Sequence, residues 1–256
     1  MSGMAGYPGL AGQHVFITGA ARGLGKSVAE KLAACGATVA VTDVDAGGCE
    51  AVAKGIRGAG GTALAYPLDV ALRDEFMAAA AQFAKACGRI DAVVNNAMLL
   101  RYEPVENITP ETLDRMTAIG INGSVWGAQA LLAHYDPVRG GAIINMASPV
   151  AEKGFPNTAA YSLVKGAIVT LTKVLAAELG PRNVRVNAIA PGSVPTPGAL
   201  GLNDAAEYAR RTRSIPLRRL GREEDNAEAC VFLLSGAASF INGEILHVDG
   251  GIAAAG

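Results

Sequence analysis

Aromatic residues make up only 5% of the 256-residue chain, so a core has to be built from Ala, Val, Leu and Ile. An excess of charge is also lacking: 22 Lys and Arg stand against 23 Asp and Glu, for a net charge near −1. Such a balance gives no electrostatic reason to expect nucleic acid or an anionic membrane surface as a partner. Cysteine is scarce and scattered. Cys35, Cys49, Cys87 and Cys230 form no C-x-x-C pair, which argues for reduced, mostly buried thiols in a cytoplasmic protein and against disulfides. The three histidines, His14, His134 and His247, have no companion ligands nearby in sequence, so no metal is expected. No apolar run reaches the ~18 residues of a membrane-spanning helix. Met1 to Gly12 carries neither the basic region nor the apolar stretch of a signal peptide, and none is expected.

Hydrophobic residues and glycine are abundant: half of the chain and 32 residues, respectively. The glycines sit at the ends of apolar runs, where tight turns are needed. Seven short runs read as strands: 15–17, 38–42, 62–68, 91–95, 142–147, 184–190 and 244–248. They lack clean polar/apolar alternation, as strands covered on both faces do. Helical patterns lie between them, near 24–35, 46–58, 71–87, 111–134, 158–180 and 223–235. This alternation predicts right-handed crossovers and an α/β, doubly wound, seven-stranded parallel sheet with helices on both faces. One domain spanning 1–256 is expected. The stretch 193–215 breaks the rhythm with early prolines and a polar helical piece. It reads as an insertion over the carboxyl ends of the strands, where ligands bind in such sheets.

The first strand runs into Thr18-Gly19-Ala20-Ala21-Arg22-Gly23-Leu24-Gly25, and a helix follows. Gly19 permits a tight turn, Gly23 lets backbone approach a pyrophosphate, and Gly25 lets the helix pack close to the sheet. The helix N-terminus presents free N–H groups to phosphate. Asp43 ends the second strand. There a carboxylate can accept hydrogen bonds from the adenosine ribose and repel a 2′-phosphate, although an N-cap for the next helix is an alternative reading. Arg22 cuts the other way, because a basic side chain in the loop can receive that phosphate. The carboxylate is expected closer to the ribose, so NAD is expected over NADP.

From this loop to Asp249-Gly250-Gly251 the chain resembles the short-chain dehydrogenases/reductases. The motifs that carry the resemblance are Thr18 to Gly25, Asp69-Val70, Asn95-Asn96-Ala97, Asn122, Ser148, Tyr161-x3-Lys165 and Pro191-Gly192, in order over nearly the full length. The resemblance implies a Rossmann fold and hydride transfer between a nicotinamide dinucleotide and an alcohol or ketone carbon. It implies catalytic roles for Asn122, Ser148, Tyr161 and Lys165, with Asn122 holding a water in a proton relay and Lys165 also binding the nicotinamide ribose. It further implies that Asp69 and Val70 contact adenine and that Asn95 and Ala97 run beside the riboses. Pro191, Gly192, Val194 and Thr196 would hold the carboxamide. A homotetramer is implied as well, paired through the helices that follow the fourth and fifth strands. The family usually has glycine where Met98 stands.

The chemistry has its own logic. Tyr161 and Lys165 are four apart and share a helical face. A cation beside a phenol favours the phenolate, so Tyr161 is expected to titrate well below the ~10 of free tyrosine. Ser148 ends the preceding strand, where a hydroxyl can polarise a carbonyl. Singly, each residue reads as packing or capping. Together, downstream of a nucleotide loop, they read as an NAD(H)-dependent secondary alcohol dehydrogenase. An NADPH-dependent ketone or 3-ketoacyl reductase and a non-catalytic dinucleotide-binding sensor are the alternatives. Met98, Pro149, Val150, Phe155, Pro156 and Val194 are candidate pocket walls, which predicts a mainly apolar substrate. Arg101 and Tyr102 either reach the site or lie on the surface.

Overall fold

A computed structural model describes residues 7–199 and 205–255. Its strands are β1 (His14–Thr18), β2 (Thr38–Asp43), β3 (Thr62–Pro67), β4 (Ala92–Asn95), β5 (Gly141–Met146), β6 (Val184–Pro191) and β7 (Ile245–Val248). All pair in parallel in one sheet of order β3-β2-β1-β4-β5-β6-β7. The helices are α1 (Gly23–Ala34), α2 (Ala46–Gly58), α3 (Arg73–Cys87), α4 (Pro110–Thr117), α5 (Gly123–His134), α6 (Ala159–Leu179), α7 (Ala205–Ser214) and α8 (Glu223–Leu234). This is the doubly wound Rossmann arrangement read from the strand-helix rhythm.

The missing alternation in the strands has its explanation in the two covered faces. Val15 and Ile17 point to one face, where they pack with Val28 and Leu32 of α1 and with Val231 and Leu234 of α8. Phe16, between them, points to the other and joins Phe76 and Phe83 of α3 and Leu131 of α5. Its ring centroid lies 5.4 Å from that of Phe76. Both sets are buried, so neither face of β1 needs a polar residue. Each such side chain contributes about 1.5–3 kcal/mol relative to exposure.

One expectation about the elements needs correction. The pattern over 111–134 is not one helix: α4 and α5 are joined by a π-helical turn, Ala118–Asn122. The stretch 193–215 holds an irregular arm through residue 199 and then α7; residues 200–204 lie outside the described residues.

The sheet order reverses between β1 and β4, where connections leave in opposite directions and open a crevice. Thr18 ties its two lips together. The Thr18 hydroxyl donates to the Val94 carbonyl and accepts from the Asn96 and Ala97 N–H groups, at 3.0 and 3.1 Å for the latter pair.

Candidate active site

A cleft of about 510 Å³ lies over the carboxyl ends of the strands, within the usual range for ligand sites. One half is built by the β1–α1 loop. Gly23 sits at φ +60°, a region that costs other residues strain. A Cβ on Gly25 would overlap the Gly19 carbonyl oxygen, so only glycine allows α1 to start this close to the loop. Asn96 clamps the loop from β4: its side-chain N–H group donates to the Thr18 and Gly19 carbonyls, both at 2.9 Å. Arg22 precedes α1 in extended conformation and gives no side-chain cap, so the first N–H groups of α1 remain available to a ligand. Gly19, Arg22, Gly23 and Leu24 all line the cleft, with Thr196 resting over Gly23.

Asp43 lines the same half. Its carboxylate accepts from the Ala21 N–H at 3.3 Å and the Asp45 N–H at 3.2 Å. The cap of α2 is Asp45, which accepts from Gly48 at 2.9 Å; Asp43 therefore does not serve as that cap. Asp69 and Val70 line the cleft farther along. The Asp69 carboxylate accepts from Arg115 at 2.7 Å and from the Ala71 N–H at 3.0 Å. Ala97, Pro191, Gly192 and Val194 complete this wall.

The other half brings Ser148, Tyr161 and Lys165 together. Ser148 follows β5, and the other two sit one turn apart on α6. Lys165 is buried, donates to the Met146 carbonyl and holds its Nζ 5.6 Å from the centroid of the Tyr161 ring. Burial pushes its ammonium down to about 8. Burial likewise pushes the Tyr161 phenol above its usual value, with Tyr102 adding to the rise and a hydrogen bond with Ser148 opposing it. The expected low value for Tyr161 is thus not what the packing gives. Desolvation of the phenol is the largest cause, and burial disfavours the charge of the neighbouring lysine as well. The result keeps Tyr161 a proton donor at neutral pH.

Two candidate residues do not reach the cleft wall. Asn95 points between β4 and α5, donating to Asn145 at 2.8 Å and to the Ser124 carbonyl at 3.3 Å; Asn96 takes the place beside the ligand space. Asn122 ends the π turn as an exposed residue and is not among those that line the cleft with Tyr161 and Lys165, which does not fit a place in a proton relay there. The inward position of that turn is Gly120, where an added Cβ would overlap Val164 and lie 3.0 Å from the Met98 sulfur. Met98 therefore fills the space that a side chain at 120 would occupy.

The apolar wall also needs correction. Of its six residues only Met98 and Val194 line the cleft; Val150 and Phe155 border a separate, shallower hollow. Tyr102, Tyr208 and Arg211 are there instead. Tyr102 settles the open question about its segment: its ring meets Tyr161 edge-on, with centroids 5.6 Å apart. Arg101 is an exposed partner of Glu103 at 3.1 Å. Tyr208 and Arg211 are three apart on α7 and share a face, a signal present in the sequence but hidden inside the insertion. No group of His, Cys, Asp or Glu suited to a metal occurs among the described residues, and the four cysteines are free.

The uncapped helix start, the glycine cradle, the Asp43 carboxylate in the cleft wall and a buried lysine with a single hydrogen-bond acceptor all fit a nicotinamide dinucleotide. Comparison with known proteins agrees. A family model described as enoyl-(acyl carrier protein) reductase matches residues 19–253. The chain is 38% identical to a D-threitol dehydrogenase of Mycolicibacterium smegmatis, over 94% of this chain and 93% of that one. A 7α-hydroxysteroid dehydrogenase complexed with NADH and 7-oxo glycochenodeoxycholic acid superposes with a TM-score of 0.93 at 32% identity, over 98% of each chain. A gluconate 5-dehydrogenase from Burkholderia cenocepacia, complexed with NADP and tartrate, gives a TM-score of 0.91 at 32% identity, over 96% and 97%. The chain belongs to the short-chain dehydrogenase/reductase family. It is an oxidoreductase that interconverts a secondary alcohol and a ketone with a nicotinamide dinucleotide.

Proposed function

We propose that the protein works with NAD(H) in preference to NADP(H), that Tyr161 is its acid/base, and that it acts as a cytoplasmic homotetramer. The observation that carries the catalytic reading is the convergence of Ser148, Tyr161 and Lys165 on the cleft that the glycine loop and Asp43 also face. The dinucleotide supplies the hydride acceptor or donor when bound. In ketone reduction the Tyr161 hydroxyl gives its proton to the carbonyl oxygen as the carbon is reduced; in alcohol oxidation its phenolate takes the hydroxyl proton. The Ser148 hydroxyl donates to the same substrate oxygen and holds it against Tyr161. Lys165, buried and cationic below about pH 8, stabilises the phenolate and has N–H groups free for a ribose hydroxyl. Gly19 to Gly25 and the start of α1 bind the phosphates. Asp69, Val70 and Ala97 border the adenosine half, and Pro191 to Thr196 the nicotinamide end.

Asp43 supports NAD because its carboxylate repels a 2′-phosphate. Arg22, exposed on the same rim, favours the second reading, an NADPH-dependent reductase. One experiment addresses both points: dinucleotide absorbance is followed with a panel of secondary alcohols and ketones, and kcat/KM is compared for the two cofactors. NAD(H) is expected to win. Tyr161→Phe keeps the ring and removes the hydroxyl, so kcat is expected to fall by ~10²–10⁴-fold while dinucleotide binding, read by titration, changes little. Retention of more than about a tenth of kcat with chemistry rate-limiting would remove Tyr161 from its role. Dinucleotide binding without any turnover would favour the non-catalytic sensor.

A further inference from the structure

The cleft that Ser148 and Tyr161 line is not the wholly apolar surface that the sequence predicted, although Met98, Leu99, Leu100 and Val194 also line it. It carries a guanidinium and two phenols, from Arg211, Tyr208 and Tyr102. Arg211 is half-buried. Its Nε donates to Glu207 at 2.7 Å, its Nη1 reaches Ser193 only at 3.5 Å, and its Nη2 has no acceptor among the described residues. Glu207 is shared: Arg210 takes both of its oxygens at 2.7 Å. These two arginines hold the Glu207 carboxyl down to about 2, so it stays ionised, and two cations share one anion. Of these three side chains Arg211 lines the cleft. Tyr208 adds an independent sign. Its hydroxyl is buried and has no hydrogen-bond partner, an arrangement that is costly unless something else supplies the bond.

Resting on the oxidoreductase reading above, we propose that the substrate carries an oxyanion, held by Arg211 and the Tyr208 hydroxyl at the end of the cleft opposite the dinucleotide. The substrate class is then a hydroxy acid and its keto acid, or the corresponding sulfonate, with the reacting carbon at Ser148 and Tyr161. Free Nη donors of a guanidinium suit a planar or compact oxyanion, and a phenol beside them completes its hydrogen bonds. A neutral alcohol would leave the Tyr208 hydroxyl and the Arg211 Nη2 without a partner among the described residues.

The test uses C4 to C6 hydroxy acids with the hydroxyl at position 2, 3 or 4, their methyl esters, and hydroxyalkane sulfonates of matched length, with both dinucleotides. In the wild type, kcat/KM for the best acid or sulfonate is expected to exceed that of its neutral counterpart at least tenfold, or about 1.4 kcal/mol. The carboxylate and sulfonate arms identify which oxyanion fits. Arg211→Gln is expected to collapse this ratio, Arg211→Lys to keep part of it, and Tyr208→Phe to reduce it several-fold. Esters turned over as well as the acids would overturn the oxyanion site and leave the oxidoreductase reading standing. So would an acid preference that survives both Arg211→Gln and Tyr208→Phe. Failure of every secondary alcohol, acid and ester with either dinucleotide would overturn both readings. The wild-type ratio decides the matter even where a variant folds poorly.

Discussion

Lys165 shows what a single residue gives up for a role in the site. Its ammonium is buried with one acceptor, the Met146 carbonyl, and its value falls from 10.5 to about 8. Below pH 8 both folded and unfolded chains hold the proton, and the cost of burying the cation is fully present. Between about 8 and 10.5 the unfolded chain binds a proton that the folded chain has lost, so stability rises with pH across this window. Lys165→Met removes the buried charge, keeps an unbranched side chain of similar length, and leaves only the Met146 carbonyl short of a donor. The variant is expected to be more stable than the wild type at pH 7 by roughly 1–3 kcal/mol, with the gap closing toward pH 10.5, and to lose turnover and dinucleotide affinity. Thermal unfolding of both proteins at pH 7 and pH 10 checks this; a less stable variant at pH 7 would contradict it. The pairing of Tyr161 with Lys165 was readable from their spacing. The direction of the Tyr161 shift was not, because desolvation depends on what other segments, including Tyr102, pack over the ring.

At the scale of elements, the strands and most helices were legible because burial on two faces leaves a plain mark: short apolar runs separated by longer amphipathic ones. The turn between α4 and α5 left no such mark. A π-helical turn adds one residue without introducing a polar break before Asn122 in Ala118-Ile119-Gly120-Ile121, and the sequence over 111–134 reads as continuous. That extra residue rotates the helix, so Asn122 points to solvent and Gly120 faces Met98 and Val164. The fit leaves no room for a methyl group. Gly120→Ala is expected to cost about 1–3 kcal/mol, as overpacking does. Adding Val164→Ala is expected to recover part of it, since the added Cβ meets Val164 first. A double-mutant cycle in urea measures the coupling, and additive effects would mean that the turn yields elsewhere.

For the whole molecule, the surface of α6 bears on assembly. Leu163 and Val174 are 65% and 53% exposed, and Gly166 and Ala167 between them leave backbone open to close approach. Such a stripe on a helix that also carries Tyr161 and Lys165 fits burial against a second copy. Light scattering at micromolar concentration is expected to give about four times the 26.0 kDa subunit mass. Leu163→Glu is expected to shift it toward smaller species, and a wild-type particle of subunit mass would contradict the assembly.

The sequence by itself determined the doubly wound sheet, the nucleotide loop and the Tyr161–Lys165 pair. Each of these rests on local order: the period of apolar residues, glycines at set intervals, and two side chains one helical turn apart. Only the tertiary structure decided which of two adjacent asparagines, Asn95 or Asn96, borders the cleft, where Asn122 points, and what lines the substrate end. Those outcomes depend on how strands alternate, how one extra residue turns a helix, and which side of α7 faces the cleft. The guanidinium of Arg211 and the phenol of Tyr208 come from the insertion, and they line the same cleft as Tyr161 only through the path the chain takes in space.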